Sequence, residues 1–214
     1  MQQNSHDLDE IAFFHLLLQK TDEAYRRSDV IVKNGHWSYS VCGTPIYKEQ
    51  GLIVGLNWGG GGTGEVFQAQ VKYPNGNDIE SYPFIKRLFP YLKAHLKVED
   101  PKKLNYSNLC FFRSPHVDEL TKKDWTLSSA LFHNYAGYVR PAWILLATSG
   151  MDKAREVLEL DQIELFKTGR EKVFSACKAR CSIAQKSIPF YAFPHPNAKV
   201  PGWVRDQLWG QVFS

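Results

Sequence analysis

Gly51-Leu52-Ile53-Val54-Gly55-Leu56-Asn57 is a short apolar run that ends in a side-chain amide, and Trp58 and the glycines Gly59–Gly62 follow it. An apolar run this short, without polar alternation, reads as a strand buried on both faces. That is how strands of a parallel sheet covered by helices look. A glycine-rich loop directly after such a strand lies at the carboxyl edge of the sheet, where open α/β sheets hold their ligands.

The pattern repeats outward from this run. Leu104–Phe112 reads as a second strand, Ala142–Ala147 as a third, and Ile188–Phe193 as a fourth ending at Pro194-His195-Pro196. Helical patterns fall between them. Ser81 is placed to cap a helix over Tyr82–Leu96, with Pro83 in its first turn. Leu120–Val139 carries Leu127, Leu131, Tyr135 and Tyr138 at helical spacing. A helix through Leu158 follows Ser149-Gly150, and Pro201 opens a last amphipathic helix. Before the first strand, Leu8–Arg27 has a helical stripe, and residues 30–50 read as turns and short extended pieces. Residues 159–187 admit two readings, a strand pair or a helix around Val173–Ala184. The expected fold class is α/β: a three-layer α/β/α sandwich with a four-stranded, mainly parallel central sheet. Residues 1–214 form one domain, with 1–50 packing on its core.

Composition is consistent with this: 43% hydrophobic and 22% charged residues suit one well-buried core. No apolar run approaches the ~20 residues that span a bilayer, and the start, Met1–Glu10, is polar. The chain is therefore read as cytoplasmic and without a membrane partner; a monomer is expected, although nothing in the sequence reports the oligomeric state. Cys42, Cys110, Cys177 and Cys181 are scattered and read as free thiols; no further ligands stand at metal-site spacing, so no metal is expected. Cys177 and Cys181, four apart, would share a helix face. Residues 161–214 hold eight Lys/Arg against four Asp/Glu, a surplus equal to the whole chain's +4. A basic last quarter suits phosphates. Gly59–Glu65 lacks the Gly-Lys-Ser/Thr ending of a nucleoside-triphosphate loop, which excludes that class. Three strand ends then carry chemically able side chains: Asn57, the segment Asn108–Arg113, and His195.

This order of features resembles the uracil-DNA glycosylase superfamily. Gly55-Leu56-Asn57 before a glycine is similar to the family's first motif, Gly-x-Asn-Pro-Gly, and Pro83–Leu88 to the helix after it. Ser107-Asn108-Leu109-Cys110 is similar to the His-Asn-Leu-Cys segment of the single-strand-selective monofunctional branch. Ile144–Gly150 matches the apolar strand before a core helix, and His195-Pro196-Asn197 with Gly202-Trp203 resembles the His-Pro-Ser motif and its trailing loop. The likeness is co-linear from about residue 51 to 209. Trp58 stands where the family has proline, and Asn197 where it has serine.

The resemblance implies a monofunctional glycosylase that hydrolyses the N-glycosidic bond of uracil or a related damaged base in DNA, flipped into a pocket. Such an enzyme would need no cofactor. Asn57 and His195 would be catalytic: Asn57 holds the attacking water, and His195 donates to the departing base. Gly55, Leu56, Trp58, Gly59, Phe67, Asn108 and Phe111 would bind the base. Asn108 would read its edge through a paired donor and acceptor, and an aromatic among Phe67, Phe111 and Phe112 would stack on it. Pro196, Asn197, Lys199, Trp203 and Arg205 would meet the DNA. The alternative is a relative that keeps the pocket and binds DNA, a free base or a nucleotide without glycosylase activity, with the Trp58 ring filling the pocket.

Overall fold

A computed structural model describes residues 9–30, 38–59, 69–76, 78–148 and 151–214. In chain order its elements are α1 (Glu10–Tyr25), β1 (Leu52–Trp58), α2 (Pro83–Leu96), β2 (Asn105–Arg113), α3 (Lys122–Val139), β3 (Ile144–Leu146), α4 (Met151–Val157), β4 (Leu160–Thr168), β5 (Phe174–Ile183), β6 (Lys186–Ala192) and α5 (Gly202–Phe213), with short 3-10 turns between some of them. The fold is α/β, with one mixed six-stranded sheet in the order β2-β1-β3-β6-β5-β4. The expected four-stranded sheet needs correction. Strands β2, β1, β3 and β6 are parallel, and the antiparallel pair β5 and β4 extends the sheet beyond them. Residues 159–187 are the strand pair, not a helix. Cys177 and Cys181 thus share a strand face rather than a helix face, because a spacing of four is even.

Alternation along each central strand divides the core in two. Leu52 and Val54 of β1, Ile144 and Leu146 of β3 and Phe190 of β6 pack with α1 and α3. Ile53 and Leu145 point the other way, to Ile85, Leu88 and Leu92 of α2 and to Val204, Leu208 and Trp209 of α5. Helices therefore cover both faces. The described N-terminal residues join the first of these cores through Phe13, Phe14, Leu17, Val41 and Ile46. Among the described residues no helix is long and apolar enough to cross a membrane.

Local chemistry fixes the ends of the helices. Thr121 caps α3 with a reciprocal capping box, its side chain accepting from the Asp124 N–H while Asp124 accepts from the Thr121 N–H. Asp124 is fully buried, and its other oxygen accepts from the Asp29 and Val30 N–H groups at 2.8 and 3.3 Å. One carboxylate thus ties the turn after α1 to the start of α3. The expected cap at Ser81 is not formed. Ser81 ends a 3-10 turn, Tyr82 occupies the cap position without a side-chain bond, and Pro83 opens α2 with its missing N–H where no partner is needed.

The free edge of β2 is covered. Backbone bonds from Ser40 N to Phe111 O (3.0 Å), Gly43 N to Tyr106 O (2.9 Å) and Arg113 N to Ser38 O (2.7 Å) lay residues 38–43 along it. The opposite edge is β4, which is mostly exposed. Its pairing with β5 slips between Asp161 and Glu164, where Gln162 has φ 50°. This irregularity is a β-bulge, a common feature of open sheet edges.

Candidate functional site

β1 and β2 run in parallel register with Gly55 opposite Asn108. A Cβ at Gly55 would lie 2.2 Å from Asn108 Oδ1. Glycine is required there because the Asn108 amide occupies the space a side chain would take. Asn108 is 1% exposed, and its Nδ2 has no hydrogen-bond partner among the described residues. A buried donor without an acceptor costs about 1–3 kcal/mol, so this amide is held at a cost to the fold.

The register slips between Asn57 and Trp58, bringing Trp58 opposite Arg113. At this slip the Asn57 Nδ2 donates to Ser114 O at 3.1 Å and, more weakly, to Trp58 O at 3.4 Å. Only the NH2 end of an amide can face two carbonyls, so the orientation is set and Oδ1 is left as a half-buried acceptor at the strand end. Arg113 closes the same corner. Its guanidinium donates to Ser40 Oγ (2.8 Å) and Gly59 O (3.4 Å) and lies 5.8 Å from the Trp58 ring centre. Burial holds its pKa below the ordinary arginine value.

His195 follows β6 and is exposed. Its Nδ1 accepts from the Asn197 N–H at 3.1 Å. Partial desolvation, and then the charge of Arg205, hold its pKa below the ordinary 6.5. The ring is therefore neutral at pH 7 with its proton on Nε2, a donor that keeps no positive charge. Two arginines fix the loop: Arg87 of α2 donates to Asn197 Oδ1 (3.1 Å), and Arg205 of α5 donates to Ala198 O (2.8 Å).

Aromatic rings link these ends. Tyr106 stands 5.4 Å from Trp58 and 5.2 Å from Phe84, and Phe84 stands 6.3 Å from His195. Burial, and then Tyr82, push the Tyr106 phenol up to about 12, and the Asn108 Nδ2, too poorly aligned for a normal hydrogen bond, draws it back slightly; the phenol is neutral at pH 7. Tyr106, Phe84 and Tyr82 were not singled out from sequence. The available signal was that Tyr106 precedes Asn108 by two and so shares its face of β2.

The sequence-derived site therefore divides. Gly55, Asn57, Trp58, Gly59 and Asn108 gather where β1 and β2 end, and the aromatic chain reaches His195. Leu56 turns to the opposite face and packs against the α1/α3 core. Phe111 is removed from the site: it is fully buried, edge-on to Tyr135 at 6.2 Å, in the α1/α3 core that takes the whole run Leu109–Phe112. Phe112 is equally buried, against Tyr25. Phe67 lies outside the described residues, as do Gly60–Gly62. Pro196 is buried, so its ring supports the loop rather than reaching outward, whereas Asn197, Lys199 and Trp203 are exposed and Arg205 is half-buried. Among the described residues no cluster of three or more His, Cys, Asp or Glu could hold a metal ion. No protein-family model matches the chain, and a search of curated proteins finds no match.

Proposed function

We propose that the protein is a DNA glycosylase of the uracil-excising kind, acting on a base flipped to the carboxyl edge of β1 and β2. The observation that carries this reading is the buried, unpartnered Asn108 amide over Gly55. A uracil edge offers a carbonyl to Nδ2 and an N–H to Oδ1, and so completes that amide; cytosine presents the reverse at the same position. His195, neutral and with Nε2–H free, suits the O2 of a departing pyrimidine anion.

In this reading water attacks the sugar C1′, the bond from C1′ to the base nitrogen breaks, and its electron pair leaves on the base. Asn57 Oδ1 orients the water, since an amide is too weak a base to deprotonate it. The nucleophile's proton is shed as the base anion takes one up, giving an abasic sugar and the free base. A neutral His195 donor stabilises the anion without fixing a full charge beforehand.

One observation favours the alternative, a base- or DNA-binding relative without hydrolysis. The Trp58 indole is wedged against Tyr106 and Arg113, and its Nε1–H is buried without an acceptor among the described residues. Alkaline strand cleavage of uracil-containing single- and double-stranded oligonucleotides separates the two. Wild type should cleave, and Asn57→Ala should lower the rate by a factor on the order of 10²–10³ while the protein stays folded, its melting temperature falling only by what the bonds to Ser114 O and Trp58 O contribute. A folded wild type that leaves uracil and other damaged bases intact would establish the binding relative instead.

A further inference from the structure

The β4–β5 hairpin brings a second set of groups to the same edge. β5 is antiparallel to β6, with Cys177 opposite Ala192, so the tip before Phe174 projects past the end of β6 on the side of His195. Thr168 Oγ1 donates to Gln207 of α5 at 2.7 Å, which fixes the tip against that helix. The turn itself depends on Gly169, which has φ 137° and whose Cβ would fall 2.0 Å from Lys172 O.

Between this tip and the start of α5 lies a cleft of about 330 Å³, lined by Arg170, Lys172, Phe174, Lys199 and Trp203, with Glu171 its one carboxylate. Trp203 is 48% exposed, unusual for so large a ring. The Arg170 guanidinium stands 5.8 Å from its ring centre, and the Lys172 ammonium 5.5 Å from that of Phe174. None of the three cations pairs with a carboxylate among the described residues. Pro201 gives α5 no side-chain cap, so the first N–H groups of the helix are open to an anion.

We propose that this cleft seats single-stranded polynucleotide, with phosphates on Arg170, Lys172 and Lys199 and one base on the open face of Trp203. Cations spaced around an exposed aromatic match a strand of alternating phosphates and rings. A simple anion would leave Trp203 idle, and an apolar partner would leave the cations unpaired. The inference builds on the glycosylase reading, making the hairpin a second wall that holds the strand beside the base site.

The test is fluorescence anisotropy with a labelled, uracil-free single-stranded oligonucleotide of about 12 nucleotides, so the result does not depend on excision. The double variant Arg170→Glu/Lys172→Glu should weaken binding about tenfold or more and lower the salt slope by about 1.4, the value for two phosphate contacts on a single strand. Trp203→Ala should weaken it about tenfold, and Trp203→Phe should recover most of that loss. Lys102→Glu/Lys103→Glu, just before β2 at the far edge, makes the same charge change as a control. Equal weakening by hairpin and control pairs would overturn the proposal, as would binding insensitive to both the hairpin pair and Trp203→Ala. So would displacement of the oligonucleotide by polyglutamate as readily as by unlabelled strand. Each variant is first compared with wild type by melting.

Discussion

Asn105 and Asn108 stand three positions apart on β2 and have opposite fates. Asn105 accepts from Tyr47 N–H (2.9 Å) and donates to Tyr47 O (2.9 Å) and Gly51 O (3.2 Å), so its buried amide is spent on holding residues 47–51. Asn108 is as deeply buried, and its donor makes no well-formed bond, with only the Tyr106 phenol oxygen beside it. An amide with a structural role should be missed when removed; one kept for a ligand should not. Asn108→Leu is therefore expected to hold or raise stability, by about 1 kcal/mol, while abolishing base binding and excision. Denaturant titration beside the cleavage assay checks this, and a loss above about 3 kcal/mol would make the amide structural. His195 supplies a second residue-scale test. Because its folded pKa lies below 6.5, the neutral donor persists through neutral pH and disappears only as pH falls through that lowered value. Protonation also puts two N–H donors face to face, at Nδ1 and at Asn197. Excision should be flat from pH 7 to 8 with an acid limb below pH 6.5, and that limb should vanish from the residual rate of His195→Gln. The linkage has the same sign: any stability this group contributes is full above 6.5 and is lost toward acid.

Among the elements, α3 shows how much can rest on one side chain. Asp124 satisfies the cap of its own helix and two N–H groups of the turn after α1. Asp124→Ala strands buried donors on both sides and should cost about 3 kcal/mol, against about 1 kcal/mol for Thr121→Ala, measured by chemical denaturation. The four parallel strands were legible because each is a run of apolar residues between turn signals. So were the three strand ends, since a polar side chain after such a run has few other places to be. The hairpin was less legible. In β4 Asp161, Gln162, Glu164 and Lys167 face solvent with Ile163 and Leu165 among them, so neither a period of two nor a helical stripe emerges. Side-chain direction was the other gap. Phe111 and Phe112, two of the three rings the sequence offers for stacking, both turn into the α1/α3 core although only one separation from Asn108 is odd, whereas Tyr106, two before Asn108, shares its face.

For the molecule as a whole, the thiols report on the opening of the α1/α3 core, where all four cysteines lie. All four cysteines are free and buried, and burial raises the thiols of Cys42 and Cys110 to about 12. Attack by a disulfide reagent needs the thiolate and access to it, so the native protein should label very slowly and release four equivalents in denaturant. Since Cys42 covers the β2 edge and Cys181 lies on β5, labelling of both with one rate constant would report a single cooperative unit. Rapid labelling of one cysteine in native buffer would show that its segment opens on its own.

The slipped pairing in β4 bears on how the protein behaves in a crowded solution. An outermost strand with Leu165 and Ile163 in the open offers its unpaired backbone groups to any passing chain. At Gln162 the backbone turns out of line, and Glu164 and Lys167 put charge along the remainder. A stranger's strand therefore finds only a few residues in step before the match fails. Deleting Gln162 would straighten that border into a template, and the price would be filaments rather than a misfolded monomer.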